Sequence, residues 1–411
     1  EEMQDTKLKK IHTAGARRAQ IPMRLLILLL TRLFLTQLKC ASASVSSTRT
    51  NLPLEQFPRI VVAYQSWNQC DESVYQHVLN GANIIIWFKT DMISVSSDGV
   101  LEPVAAFTQG PNRTCVEDTI ARLAIMGHDR SRVKHLISVG GWDAAHPDTS
   151  HTAAEYYDAF QTFNGATGTN TGRLYDGLDW DLEGNDVLNA PTNYFTVECL
   201  ELMAELSNLL HADGYIVSMA PPESYLDVQT SEFSQSVALT YPTDVWNVYD
   251  GKPEFTLHGR NAYAYPLAKY PDAFDFVSFQ MYETRSHAFY NTTVLGTSQV
   301  EYAMAYIERL LHNDGIVVDF TDSAFAFLGK QTLDLTDRVV VGLLAKHVEN
   351  DVLPLTAKNL TSAIQRLEAR GSKRVRGGMY WCIRDDPEGL VASVLGDFFG
   401  TKTTNDSTSI S

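Results

Sequence analysis

Short, continuous apolar runs alternate with longer stretches in which apolar residues recur every three or four positions. The runs include Ile60-Val-Val-Ala-Tyr64, Ile84-Ile-Ile-Trp-Phe88, His135-Leu-Ile-Ser138 and the stretch from Tyr175. They continue with Ile216-Val-Ser-Met-Ala220, Asp275-Phe-Val-Ser-Phe-Gln280, Val339-Val-Val-Gly342 and the stretch from Val375. Runs of this kind predict parallel strands covered on both faces. Helices are predicted between them, most clearly over 153–163, 194–212, 300–311 and 356–370. Repeated strand–helix alternation predicts one (β/α)8 barrel. The competing topology, a doubly wound open sheet, lacks a Gly-rich dinucleotide or phosphate-loop fingerprint here. The connection between the fifth and sixth strands, 225–272, is unusually long and rich in aromatics, among them Tyr225, Phe233, Tyr263, Tyr265 and Tyr270. It leaves from the strand ends where barrel active sites sit. Sugar rings stack on such side chains, but a local core is the expected use for most of them.

One run departs from the apolar pattern. In Asp176-Gly-Leu-Asp179-Trp-Asp181-Leu-Glu183 three carboxylates are spaced by two. On a strand they share a face, about 6.6 Å apart along the chain. At an effective dielectric of about 20, two charges at that separation repel by roughly 2.5 kcal/mol. That is about two pKa units, so at least one group should hold a proton near neutrality. A carboxyl kept protonated is what general-acid catalysis of glycosidic cleavage needs. Trp180 and Leu182, on the other face, read as packing toward helices, which argues against a solvated edge. A calcium loop would need a bidentate Glu at its twelfth position, where Ala190 stands. A magnesium or manganese site is a further alternative, without accompanying His-rich spacing. Asp176 is offset by three from Asp179 and should face away, in a structural hydrogen bond.

Composition narrows the partners. The net charge of -16 disfavours nucleic acid and anionic membranes, which reward clustered Lys and Arg. A neutral polysaccharide fits that balance. Met23-Arg24, the run Leu25-Leu-Ile-Leu-Leu-Leu30 and the stretch Lys39-Cys-Ala-Ser-Ala43 read as a signal peptide with cleavage near Ala43. Arg32 interrupts the apolar stretch, which is short for a bilayer span. A secreted, extracellular monomer is expected, with residues 1–43 upstream sequence and signal peptide, 44–57 a linker, 58–400 the barrel and 401–411 a disordered tail. Sequons at Asn112, Asn291, Asn359 and Asn405 agree with that route. The cysteines form neither a disulfide scaffold nor zinc spacing. Cys199 falls on a helical stripe with Phe195, Leu202, Leu206 and Leu209 and is expected in the core. Cys70 and Cys115 sit near predicted element ends, where a bridge is open to them. No cofactor or metal is expected.

The carboxylate run resembles the Asp-x-x-Asp-x-Asp-x-Glu signature of family 18 glycoside hydrolases, the chitinase family. Other segments resemble that family in order and spacing: Ser138-Val-Gly140-Gly141, Met219-Ala-Pro221, Gln280-Met-Tyr282 and Trp381. The resemblance covers about 60–400. It implies a retaining mechanism in which the N-acetyl oxygen of the substrate is the nucleophile, outside the ordinary two-carboxylate scheme. Carried over by position, Glu183 is the acid and later the base. Asp181 orients the acetamido group, Asp179 shares a proton with Asp181, and Tyr282 donates to the acetamido oxygen. Trp381 floors the subsite, and Tyr64, Phe88, Gly141, Met219, Gln280 and Ala345 complete the wall. Glu283 stands where many relatives carry Asn or Asp. The stretch 346–374 has room for one helix, so the small α+β insertion of many members looks absent, which implies an open groove and endo cleavage. The implied function is a secreted endo-acting chitinase on chitin or N-acetylglucosamine oligosaccharides. An endo-β-N-acetylglucosaminidase acting on N-glycans and a non-catalytic chitinase-like lectin are the alternatives.

Overall fold

The computed structural model describes residues 54–402 apart from 97–101, 166–171, 186, 188, 239–259, 283–286, 313–314 and 347–354. The expected signal peptide, most of the linker and tail, Glu283 and Asn405 lie outside the described residues.

β1 (Ile60–Tyr64) and β2 (Ile84–Thr90) are followed by an antiparallel hairpin, β3 (Met92–Val95) with β4 (Val104–Phe107). Then come β5 (Lys134–Gly141), β6 (Gly177–Leu182), β7 (Ile216–Met219) and β8 (Phe276–Gln280). A second hairpin, β9 (Ile316–Asp319) with β10 (Lys330–Leu333), precedes β11 (Val339–Leu344) and β12 (Gly377–Trp381). The eight strands outside the hairpins close a parallel barrel in the order β1-β12-β11-β8-β7-β6-β5-β2. Among the described residues the principal helices are α1 (Ser73–Leu79), α2 (Arg113–Ile125), α3 (Ala153–Asn164), α4 (Val197–Ala212), α5 (Ala264–Lys269), α6 (Gln299–Leu310), α7 (Ala357–Ala369) and α8 (Leu390–Phe399). The expected (β/α)8 barrel is the fold.

The strands alternate between two buried sides. Inside the barrel lie Ile60, Val62, Tyr64, Ile84, Ile86, Phe88, Leu136, Ile216, Phe276, Val340 and Met379. A larger apolar layer holds the strands to the helices, with Trp87, Leu178, Trp180 and Leu182 among its members. Burial on both faces is why these strands read as unbroken apolar runs.

Caps set the helix boundaries. Thr152, Thr196, Ser298 and Thr356 each accept a hydrogen bond from the backbone N–H three residues on, which satisfies a donor the helix itself leaves free. α4 therefore starts after Thr196, three residues later than the pattern predicts. Along it Cys199, Leu202 and Leu206 are buried, but Leu209 is exposed and Leu210 takes the inward place. A period of 3.6 from Cys199 reaches 210 rather than 209 on the third turn. Phe195 is buried just ahead of the helix.

The segment after β7 uses its aromatics as a core. Tyr225, Phe233, Tyr263 and Tyr265 are all buried. Phe233 lies 4.7 Å from Phe320, and Tyr265 stacks on Phe325 at 3.8 Å, so this segment packs against the connection between the two strands of the second hairpin. Cys70 and Cys115 form a disulfide that ties the loop after β1 to the first turn of α2. Leu54 and Phe57, in the segment read as a linker, are buried with the barrel interior. No described helix is long and apolar enough to cross a membrane.

Candidate active site

β6 carries the carboxylates. Its odd positions, Asp179 and Asp181, point into the barrel, while Leu178, Trp180 and Leu182 join the helix-facing layer. The indole N–H of Trp180 donates to Ser207 Oγ on α4 at 2.8 Å, which locks the phase of the strand. Slipping by one residue would bury Trp180 inside and turn the acids outward.

Asp179 is fully buried and accepts from three hydroxyls: Tyr64 at 2.8 Å, Ser138 at 2.8 Å and Ser218 at 2.6 Å. Ser138 and Ser218 are its register partners on the two neighbouring strands. Burial pushes the Asp179 pKa up, and the three donors oppose that rise. Asp181 is raised well above the usual carboxylate range, first by burial, then by the charges of Glu183 and Asp179. It is hydrogen-bonded to Glu183, and Gln280 Nε2 bridges the two, 2.8 Å from Asp181 and 3.3 Å from Glu183. The family resemblance implies a proton shared by Asp181 and Asp179. Hydroxyls surround Asp179, and on Asp181 the charge of Glu183 acts ahead of that of Asp179.

Tyr282 follows β8 and stands half-buried beside the acids. Burial and the charges of Asp181 and Glu183 hold its phenol well above pKa 10, so it is a proton donor at any ordinary pH. Trp381 ends β12. Its ring is 4.9 Å from Phe88 in an edge contact, 5.9 Å from Tyr64 and 6.3 Å from Trp67. The Ala345 N–H donates to the Trp381 carbonyl at 2.7 Å, which sets Ala345 beside that ring's backbone. Gly141 has φ of +103°, and a Cβ there would lie 2.2 Å from the Phe88 ring. Gly140 shares the positive φ, at +111°. Together they let β5 pass close to the floor.

Two sequence-predicted residues stand elsewhere. Met219, expected in the pocket wall, is fully buried in the helix-facing layer, and its inward neighbour is Ser218. Alternation along β7 requires this once Ser218 reaches Asp179. Asp176 lies outside the carboxylate row, as its offset implies, and accepts from the His135 N–H at 2.9 Å and pairs with Arg130.

Sequence reasoning misses Ser218, Trp67, Tyr225, Tyr263 and His146. Ser218 has a signal, being the one hydroxyl in an apolar run. Trp67, three residues past Tyr64, is 42% exposed although it edges Phe88 at 4.8 Å, a placement visible only once the loop is folded. Tyr225 and Tyr263 are core residues of the long segment, as expected, yet their hydroxyls also reach the backbone on either side of Glu183.

No family model matches the sequence, and no curated protein matches it. Solved structures match at the level of fold. The ChiA C-terminal domain of Legionella pneumophila is similar with a TM-score of 0.52 at 14% identity, over 82% of this chain and 97% of that one. A family 18 chitinase from Chromobacterium violaceum is similar with a TM-score of 0.51 at 15% identity, over 84% of each chain. A fungal endo-β-N-acetylglucosaminidase of glycosyl hydrolase family 18 gives 0.47 at 15% identity, over 82% of this chain and 97% of that one. The chain has the chitinase-like fold of family 18 glycoside hydrolases.

Proposed function

We propose that the protein is an endo-acting chitinase that hydrolyses β-1,4 bonds between N-acetylglucosamine units with retention. The observation that carries this reading is the row formed by buried Asp179 and Asp181 and half-buried Glu183, with Gln280 bridging the last two, at the strand ends of a family 18 fold. In the proposed first step Glu183 gives its proton to the glycosidic oxygen as the bond to C1 breaks. The acetamido oxygen of the same sugar bonds to C1 and forms an oxazolinium ring. Asp181, beside Glu183, accepts from the acetamido N–H, and Tyr282 donates to the acetamido oxygen. Water then attacks C1, Glu183 takes its proton, and the ring opens with two inversions giving net retention. Asp179, buried beneath Asp181, would share a proton with it as the intermediate forms. Trp381 would floor the distorted sugar, with Tyr64, Phe88, Gly141, Gln280 and Ala345 around it. The Cys70–Cys115 disulfide supports an oxidising, extracellular setting.

The test offers purified protein chito-oligosaccharides and a high-mannose glycopeptide, with products read by mass. Chito-oligosaccharide cleavage that Glu183→Gln abolishes while binding persists is the expected result. Cleavage of the glycopeptide alone would replace chitin with N-glycan as substrate. Binding without cleavage in the parent protein would make it a lectin. Unchanged turnover in Glu183→Gln would overturn the mechanism.

A further inference from the structure

β6 ends at Leu182, so Glu183 stands on the first residue of a loop, where the strand ladder no longer fixes its backbone. Other groups do. The Tyr263 hydroxyl donates to the Leu182 carbonyl at 2.9 Å. The Tyr225 hydroxyl accepts from the Gly184 N–H at 2.9 Å. His146 packs behind the same loop, with its ring 4.4 Å from Phe195. The Gly184 carbonyl accepts from the Asp143 N–H at 3.1 Å, and the Asn185 N–H donates to Asn193 Oδ1 at 2.7 Å.

The three side chains form one cluster around Phe195. That ring lies 4.4 Å from His146, 6.1 Å from Tyr225 and 6.0 Å from Tyr263. The two tyrosine hydroxyls meet the backbone at residues 182 and 184. Both tyrosines come from the one long connection between β7 and β8, His146 comes from the connection after β5, and Phe195 precedes α4. A Cβ at position 184 would lie 2.3 Å from Asn193 Oδ1 and 3.0 Å from the Tyr225 hydroxyl, so the loop fits this cluster closely.

We propose that Tyr263 and Tyr225 are positioning residues that set where the Glu183 carboxyl stands relative to the scissile bond. The inference rests on Glu183 being the acid. A side chain on a loop can rotate with its peptide plane, and here the peptides on both sides of it are tied to a buried aromatic cluster. Pre-organised placement of this kind is where a misplacement of ~1 Å costs on the order of 10²-fold in rate.

The test compares Tyr263→Phe and Tyr225→Phe with the parent and with Glu183→Gln, on chito-oligosaccharides. Each Phe variant keeps its ring in the cluster and loses only the hydroxyl. The expected result is a fall in kcat of about 10- to 100-fold, with KM within about twofold, and thermal midpoints close to the parent's. A crystal structure of Tyr263→Phe should show the Glu183 carboxyl displaced. Phe variants with parental kcat beside an inactive Glu183→Gln would overturn the inference and leave the proposed function standing. An undisplaced carboxyl, or a loss in KM alone, would also overturn it. If Tyr263→Phe does not fold, Tyr225→Phe decides: parental kcat there overturns the inference. Turnover unchanged in Glu183→Gln would instead sink the proposed function.

Discussion

Asp179 is held by three hydroxyls, whereas Asp181 meets the amide of Gln280 and the charge of Glu183. That difference sets the proton inventory of the site. Asp181 is raised by burial first and by Glu183 and Asp179 next, so its neutral form persists above the usual carboxylate range. Activity that depends on the shared proton is present below that raised value and lost as pH climbs through it. Asp181→Asn removes one charge from the pair. The alkaline limb of kcat/KM should then retreat toward acid by about one unit, read from a pH–rate profile. An unmoved limb would contradict the pairing. Gly141→Ala is the second residue-scale prediction. Positive φ and a 2.2 Å approach to Phe88 leave no room for the methyl. It should cost about 1–3 kcal/mol in urea denaturation, because both the backbone and the Phe88–Trp381 contact are strained.

At the scale of elements, one hydrogen bond fixes which way the carboxylate strand faces. Ser207→Ala would leave the buried Trp180 N–H without its acceptor. The expected cost is about 1–3 kcal/mol by chemical denaturation, and a null effect would mean the packing of Trp180 alone sets the phase. The eight barrel strands are legible because burial on both faces writes itself as continuous apolar sequence. The two hairpins are not, since strands of four residues such as Val104–Phe107 carry too few alternations to count. The spacing of Asp179, Asp181 and Glu183 reveals a shared face. It cannot reveal which hydrogen bonds each acid takes, because those come from Ser138, Ser218 and Gln280 on other strands. Met219 and Ser218 illustrate the same limit: a motif marks the place on the chain, and the phase of β7 decides which of the two neighbours looks inward. Likewise the tyrosines behind Glu183 are visible as aromatics but not as donors and acceptors for a loop far away in sequence.

For the whole molecule, two properties follow from what the barrel encloses. The Cys70–Cys115 link closes a loop with a sequence separation of 45. Reduction, or Cys115→Ser, should lower stability by about 3–4 kcal/mol on the chain-entropy model, seen as a drop in the urea midpoint under reducing conditions. Burial also keeps histidines neutral: His77, His128 and His135 are held below their ordinary pKa, and His146 is held down to about 4. Unfolded histidines take up protons near 6.5 and these do not, so the histidines favour unfolding as pH falls from about 6.5 toward 4. Asp179, Asp181 and Asp275, with raised values, act in the opposite sense above about pH 4. His146→Asn isolates one contribution: its Tm should fall less between pH 6.5 and 4 than the parent's. An equal fall would contradict the burial argument.

The barrel closes by pairing its earliest strand with its last, Ile60 against Gly377 through Tyr64 against Trp381. Arg59 reinforces that seam by donating to the Val375 carbonyl, a separation of 316 residues. On a ribosome moving at about 5–20 residues per second, β1 therefore waits roughly 15–60 s for its neighbour to be made. Throughout that interval one edge of β1 is an open template for any passing strand. A nascent chain stopped before residue 377 lacks the means to seal itself. Such fragments should collect in aggregates or on holding chaperones, whereas the finished chain needs neither once the last strand docks.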